Sequence, residues 1–160
     1  SPMMGAEGEG YKIEMKTLDM SRTWVGCGAV GIAQRAIDEA VAYGKQRITF
    51  GKPILKNQGL QFMIADMEIR VETARQMVAH ALKLMDAGLP YSRESAIAKC
   101  YAGDIAVQNA LDAIQILGGY GYSREYPVEK LLRDAKIFQI YEGTNQIQRM
   151  VIGKSVIGKF

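Results

Sequence analysis

Histidine, cysteine and proline are scarce in this chain: its 160 residues include one His, two Cys and four Pro. No Cys, Asp or Glu cluster surrounds His80 at ligand spacing, so the sequence offers no metal site. Cys27 and Cys100 lie far apart without a CxxC pair. They read as buried free thiols of a reducing compartment. No apolar run approaches the ~20 residues that a membrane span needs, and no signal peptide opens the chain. An excess charge of one sign is also missing. Twenty Lys and Arg against 17 Asp and Glu give +3, with the basic residues scattered, which argues against nucleic acid as a partner. The expectation is a soluble protein of the cytoplasm, or of the mitochondrial matrix in a eukaryote.

Apolar residues make up 48% and charged residues 23%, the usage of an ordinary globular domain rather than a disordered chain. The opening stretch Ser1-Pro2-Met3-Met4-Gly5-Ala6-Glu7-Gly8-Glu9-Gly10 has no initiator Met and reads as a linker entered from the middle of a larger protein. Residues 1–13 are assigned to that linker and 14–160 to one helical domain.

Helical character begins near Tyr11 or Glu14, with Asp19 and Ser21 as alternative caps for a fresh start. Ala29, Ile32, Ala33, Ala36, Ile37, Ala40 and Val41 then share one helix face. The small residues Gly26, Gly28, Ala29, Gly31 and Ala33 permit close approach of another helix or of a flat ligand. Gly51 and Pro53 break this helix. A second helix is predicted from about Gln58 to Asp86, its Met63, Met67 and Met85 serving as core filler. Ser92 is the expected cap of a third helix, which Gly118 and Gly119 stop. A short fourth helix runs from Pro127 to about Ile137, and a fifth starts at Thr144. No segment alternates convincingly with period two. The predicted fold class is all-α, an antiparallel, up-down helical bundle.

The stretch Ile140-Tyr141-Glu142-Gly143-Thr144-Asn145-Gln146 places a carboxylate beside a glycine at a helix start. Backbone N–H groups and the positive dipole end face whatever lies in front of such a start. Glu142 is then either a helix-start charge or a base, and a base needs partial burial and reach to an acidic C–H. Gly118-Gly119-Tyr120-Gly121 closes a helix instead of opening one, so it is not a dinucleotide fingerprint of the usual kind. Gln115 faces either a ligand at the same rim or solvent. Arg47 suits a helix C-terminus, Phe50 either flanks an aromatic ligand or packs inward, and Asp19 with Arg22 has the spacing of a surface ion pair.

Together the motifs carry a resemblance. Gln115-Ile116-Leu117-Gly118-Gly119-Tyr120-Gly121-Tyr122, Tyr126-Pro127-Val128-Glu129-Lys130, Arg133-Asp134-Ala135-Lys136 and Tyr141-Glu142-Gly143-Thr144 closely resemble the C-terminal helical domain of acyl-CoA dehydrogenases. Gly28-Ala29-Val30-Gly31-Ile32-Ala33-Gln34-Arg35-Ala36 and Arg47-Ile48-Thr49-Phe50-Gly51-Lys52-Pro53 resemble it in the right order, and the short-chain, butyryl-CoA-like branch is most similar.

The resemblance implies α,β-dehydrogenation of a short acyl-CoA to the trans-2-enoyl-CoA. Glu142 would take the pro-R α-proton while the β-hydrogen leaves as hydride to FAD. The Glu142 N–H and a flavin hydroxyl would polarise the thioester oxygen. Substrate contacts are implied for Asp19, Met20, Ser21, Arg22, Tyr141 and Gly143. FAD contacts are implied for Arg47, Phe50, Gln58, Gln115, Ile116, Leu117, Gly118, Gly119, Thr144, Asn145 and Gln146. Arg47, Phe50 and the rim from Gln115 to Gly119 would serve the flavin of a neighbouring subunit, whereas Thr144 and Gln146 would serve their own. A homodimer or homotetramer is therefore implied, with an electron-transfer flavoprotein as redox partner. The family's N-terminal helical and middle β domains are absent from these 160 residues, so the chain alone is expected to be inactive. Two other readings stand beside this one: a non-catalytic helical oligomerisation module, and an acyl-CoA oxidase or glutaryl-CoA-type relative.

Overall fold

A computed structural model describes residues 4–158. Residues 1–3 of the expected linker and the last two residues of the expected bundle lie outside the described part. The elements are α1 (Gly10–Gln46), β1 (Ile48–Thr49), β2 (Lys52–Pro53), α2 (Gln58–Asp86), α3 (Ser92–Leu117), α4 (Gly119–Tyr122), α5 (Val128–Ile137) and α6 (Asn145–Ile157). The fold is all-α apart from one minimal hairpin. Among the described residues no helix is long and apolar enough to cross a membrane.

The first helix opens at Gly10 and runs unbroken for 37 residues, roughly 55 Å at the usual rise. Asp19 and Ser21 start no new helix. Asp19 instead pairs with Arg22 at 2.5 Å, and the Ser21 hydroxyl donates to Glu142, beyond α5. α2 spans the predicted residues, and its inward positions Met67, Val71, Ala74, Val78 and Ala81 are buried.

α1 and α3 run parallel, with α2 and α5 antiparallel to them. Gly26 on α1 faces both Val78 and Ala98, whereas Gly44 near its other end meets Leu55. At that same end Tyr43 packs edge-on against Tyr126, which precedes α5. A Cβ at Gly26 would sit 3.1 Å from Val78, and one at Gly28 would sit 3.0 Å from the Phe138 ring. Gly26, Gly28, Ala29 and Ala33 thus serve close packing between elements, the first of their two readings, whereas Gly31 faces open space. Alanine dominates the core on α1 (Ala29, Ala33, Ala36, Ala40) and α3 (Ala98, Ala102, Ala106, Ala110, Ala113). At its centre Asn109 donates to Met67 O at 3.1 Å and accepts from Arg70, which also pairs with Asp112.

Three local expectations need correction. Ser92 does not cap α3: Tyr91 occupies the cap position, and the Ser92 hydroxyl donates to Asp19 Oδ1 at 2.9 Å. Ser92 is already the first helical residue, one position past the cap, and its hydroxyl is turned to α1 instead. Cys27 is exposed, on the outward side of α1, although Cys100 is buried as expected; both are free thiols. Residues 48–53 also form a hairpin, pairing Ile48 with Pro53 and Thr49 with Lys52. Its two turn residues, Phe50 and Gly51, both have positive φ, the geometry that a two-residue hairpin turn needs. Two-residue strands are too short to show any alternation.

Pro127 immediately precedes α5, and Thr144 caps α6, its hydroxyl accepting from the Ile147 N–H at 3.3 Å. α6 buries Asn145 and Gln148 rather than its aliphatic residues. It is anchored to α3 through Asn145 and Arg149, whereas Gln148 holds the preceding turn.

Candidate active site

The turn between α5 and α6 carries the site. After α5 the chain tightens, with the Tyr141 N–H reaching Ile137 O at 3.1 Å. Glu142 (φ 55°) and Gly143 (φ 82°) then lie consecutively in the left-handed region. For glutamate that conformation is uncommon and costs on the order of 1–3 kcal/mol. A Cβ at residue 143 would fall 2.7 Å from Gln148 Nε2, so glycine is required there on both counts.

Side chains from two helices over-determine this turn. Gln148 Nε2 donates to the Glu142 and Gly143 carbonyls at 3.2 and 2.9 Å. Lys99 Nζ, from α3, donates to Gly143 O at 2.7 Å and to Asn145 Oδ1 at 2.9 Å. Asn145 in turn donates to Cys100 O and to Asp104. Asp104 also accepts from Gln139 and Arg149. Burial alone would raise the Asp104 carboxyl, but hydrogen bonds from Arg149, Asn145 and Gln139 hold it below its ordinary value. Lys99 is lowered to about 8, chiefly by burial, although the charges of Asp104 and Glu142 oppose the shift.

The half-buried Glu142 side chain points at α1. Its Oε2 accepts from the Ser21 hydroxyl at 2.6 Å. One helical position further on, Arg22 is buried, pairs with Asp19 and leaves its Nε without a partner. The predicted substrate residues Asp19, Ser21, Arg22, Tyr141 and Gly143 therefore gather around the predicted base, Glu142, at one end of the bundle. Met20 lies on the same stretch of α1, exposed to solvent. Tyr141 packs edge-on against Phe138, with its hydroxyl pushed up by burial and then by the Glu142 charge. No acceptor among the described residues takes the backbone N–H of Glu142. The turn can thus present a carboxylate and a free N–H together.

The predicted cofactor residues fall into two groups. Arg47, Ile116, Leu117, Gly118 and Gly119 line a cavity of about 600 Å³ with Tyr43 and Tyr120. Arg47 lies 5.5 Å from the Tyr120 ring centre. A Cβ at Gly118 or Gly119 would meet nothing within 4 Å, so the rim's backbone is open to a ligand. Thr144, Asn145 and Gln146 line a second cavity of about 440 Å³ with Asp104, Gln139 and Arg149. From Asp104 to Leu117 along α3 the two groups are roughly 20 Å apart. Gln58, Gln115 and Phe50 are exposed and line neither cavity.

Sequence reasoning missed Lys99, Asp104, Gln148 and Arg149. One signal for Lys99 was available: it follows Ser95 and Ala96 and precedes Ala102 and Gly103 at helical spacing, on a face otherwise made of small residues. A long cation on such a face is buried and must have partners.

Comparison with known proteins gives the family. A family described as "Acyl-CoA dehydrogenase, C-terminal domain" matches residues 8–157. An acyl-CoA dehydrogenase of Bacillus subtilis is 52% identical over 156 residues, covering 98% of this chain and 41% of that protein. The structure of butyryl-CoA dehydrogenase from Megasphaera elsdenii superimposes with a TM-score of 0.96 at 49% identity, over 98% of this chain and 41% of that one. A glutaryl-coenzyme A dehydrogenase in complex with glutaryl-CoA follows at 37% identity and a TM-score of 0.92, over 97% of this chain and 40% of that one. The chain thus spans about two fifths of the length of these relatives. It belongs to the acyl-CoA dehydrogenase family and corresponds to that family's C-terminal domain.

Proposed function

We propose that this domain carries the base of an FAD-dependent short-chain acyl-CoA dehydrogenase, which converts an acyl-CoA to the trans-2-enoyl-CoA. The observation that carries the reading is the meeting of Ser21 and Glu142 at 2.6 Å. It joins the segment expected to hold CoA to the carboxylate expected to take the proton. Glu142 Oε removes the α-proton, and negative charge develops on the thioester oxygen. The unpartnered Glu142 N–H stabilises that charge, as an oxyanion donor fixed in place before the reaction. Arg22, buried beside Asp19 with a spare N–H, orients the CoA portion. The identities favour the short-chain branch, since the butyryl-CoA enzyme is 49% identical and the glutaryl-CoA enzyme 37%.

The residues present fit FAD. Arg47 supplies a cation beside the open backbone of Gly118 and Gly119, and Thr144 caps a 13-residue helix whose N-terminus suits a phosphate or polar edge. When bound, FAD would supply the acceptor for the β-hydrogen and its electron pair. Because Arg47 and Thr144 line separate cavities, we assign the first to a neighbouring subunit's flavin and the second to the domain's own, in a homodimer or homotetramer. An electron-transfer flavoprotein would reoxidise the enzyme.

The test is a chimera in which this chain replaces the matching part of the M. elsdenii enzyme. With FAD bound, Glu142→Gln should lower kcat by about 10²–10⁴-fold, the usual contribution of a general base. Near-unchanged dehydrogenation would remove Glu142 from the role.

A further inference from the structure

Lys99 is 0% exposed, the largest fully buried side chain of the described residues, and the chemistry proposed above does not use it. None of the ion pairs among the described residues includes it. Its ammonium is spent on two neutral acceptors, Gly143 O at 2.7 Å and Asn145 Oδ1 at 2.9 Å. Burying a cation without a carboxylate partner is expensive, and an apolar side chain of the same shape would avoid that cost. Lys99 must therefore secure something that packing does not.

The connectivity shows what that is. Gln148 also holds the Glu142 and Gly143 carbonyls, but it lies on α6, only five or six residues beyond the turn. Its bonds keep the turn folded on itself and do not locate it in the bundle. Asn145 ties the start of α6 to Cys100 and Asp104 of α3. Lys99 is the side chain that reaches the turn itself from α3, across 44 residues of sequence. α3 packs along α1, which carries Ser21 and Arg22. Lys99 thus ties the turn's own backbone to the helix that packs along α1, while Ser21 holds the carboxylate directly and Gln139 ties the approach to the turn to Asp104.

We propose that Lys99 is a positioning residue for Glu142: its bond to the Gly143 carbonyl fixes the left-handed turn against α3, and with it the aim of the carboxylate and of the Glu142 N–H. The proposal rests on the reading of Glu142 as the base. Loss of this bond leaves Glu142 chemically intact and misdirected. The effect then falls on kcat, because the CoA contacts on α1 are untouched.

Three measurements decide it. In the chimera, Lys99→Met should lower kcat at least about tenfold, the value of one hydrogen bond to a charged group, with KM changed less than about twofold. Lys99→Arg, which keeps cationic donors, should restore part of that loss. In the 160-residue chain, Lys99→Met should speed amide exchange at the Ile147 N–H, which Thr144 caps, and leave α2 amides unchanged. If Lys99→Met keeps wild-type kcat while Glu142→Gln is inactive, the positioning role is wrong and the base assignment stands. If Glu142→Gln is active, the base assignment falls, and the exchange result alone judges whether Lys99 holds the turn. Should Lys99→Met not fold, ¹⁵N spectra of the wild-type chain decide. A single lysine ammonium protected from solvent exchange supports the clamp, and no protected ammonium overturns it.

Discussion

The hydroxyl of Ser21 on α1 donates to Glu142 Oε2 at 2.6 Å, across 121 residues of sequence. Its other geometric partner, Leu18 O, lies at 3.3 Å within the same helix, so the contact with Glu142 is the shorter of the two. The hydroxyl holds the carboxylate in one rotamer against α1, where an acyl thioester would arrive. Ser21→Ala removes this restraint and leaves the turn's backbone clamps in place. We expect kcat of the chimera to fall by about tenfold, the scale of one charge-assisted hydrogen bond, with thermal stability nearly unchanged. A kcat equal to the parent's would mean that other contacts orient Glu142.

Gly143 tests the turn independently of any activity. Its φ of 82° opposes a side chain, and so does Gln148 Nε2, which lies 2.7 Å from the place a Cβ would take. Gly143→Ala in the 160-residue chain should cost about 1–3 kcal/mol, lowering the melting temperature by about 2–4 °C for each kcal/mol. Gly31→Ala is the control, since its Cβ would meet nothing within 4 Å and alanine favours a helix interior.

These two sites also show which parts of the structure were legible in the sequence. α2 was read nearly to the residue because Leu60, Met63, Ile64, Met67, Val71, Ala74 and Val78 repeat at helical spacing, and Gly88 and Pro90 lie just beyond its end. Thr144 was placed correctly because a cap is a local property. Ser92 was misplaced by one residue, and the partner its hydroxyl donates to, Asp19, lies 73 residues away. The left-handed φ of Glu142 had no signal, since glutamate does not mark that conformation as glycine does. Lys99 escaped for a related reason. One of its acceptors is a main-chain carbonyl on a distant segment, and every residue has a carbonyl. The gathering of Asp19, Ser21 and Arg22 around Glu142 was expected only through family resemblance, because no periodicity relates α1 to the α5–α6 turn.

Arg47 tests the sharing of flavin sites between subunits. If Arg47 serves a neighbour's FAD and Glu142 serves its own substrate, the two defects complement each other. Arg47→Ala should weaken FAD binding by about tenfold or more and be rescued by excess FAD. Glu142→Gln should bind FAD normally and stay inactive. Co-refolded mixtures of the two at limiting FAD should then recover activity that neither parent has, because one site in each mixed pair keeps both residues. A mixture no more active than its parents would place Arg47 and Glu142 of one and the same subunit at a single flavin.

The ionisation of Lys99 predicts how stability varies with alkaline pH. Folded, the amine titrates near 8, lowered by burial; unfolded, it returns to the ordinary lysine value of about 10.4. Cys100, Asp104, Arg22 and Glu142 are the groups whose charges face it. Below pH 8 both states carry the proton, and the burial penalty is present in full. Between 8 and the ordinary value the unfolded chain holds more protons than the folded one, so this group makes stability rise with pH. Lys99→Met lacks that contribution. In urea titrations of the 160-residue chain from pH 7 to about 10, the unfolding free energy of wild type relative to Lys99→Met should therefore climb above pH 8. A difference that stays flat would mean that Lys99 keeps an ordinary pKa, and one that falls would mean that its charge is stabilised by the fold.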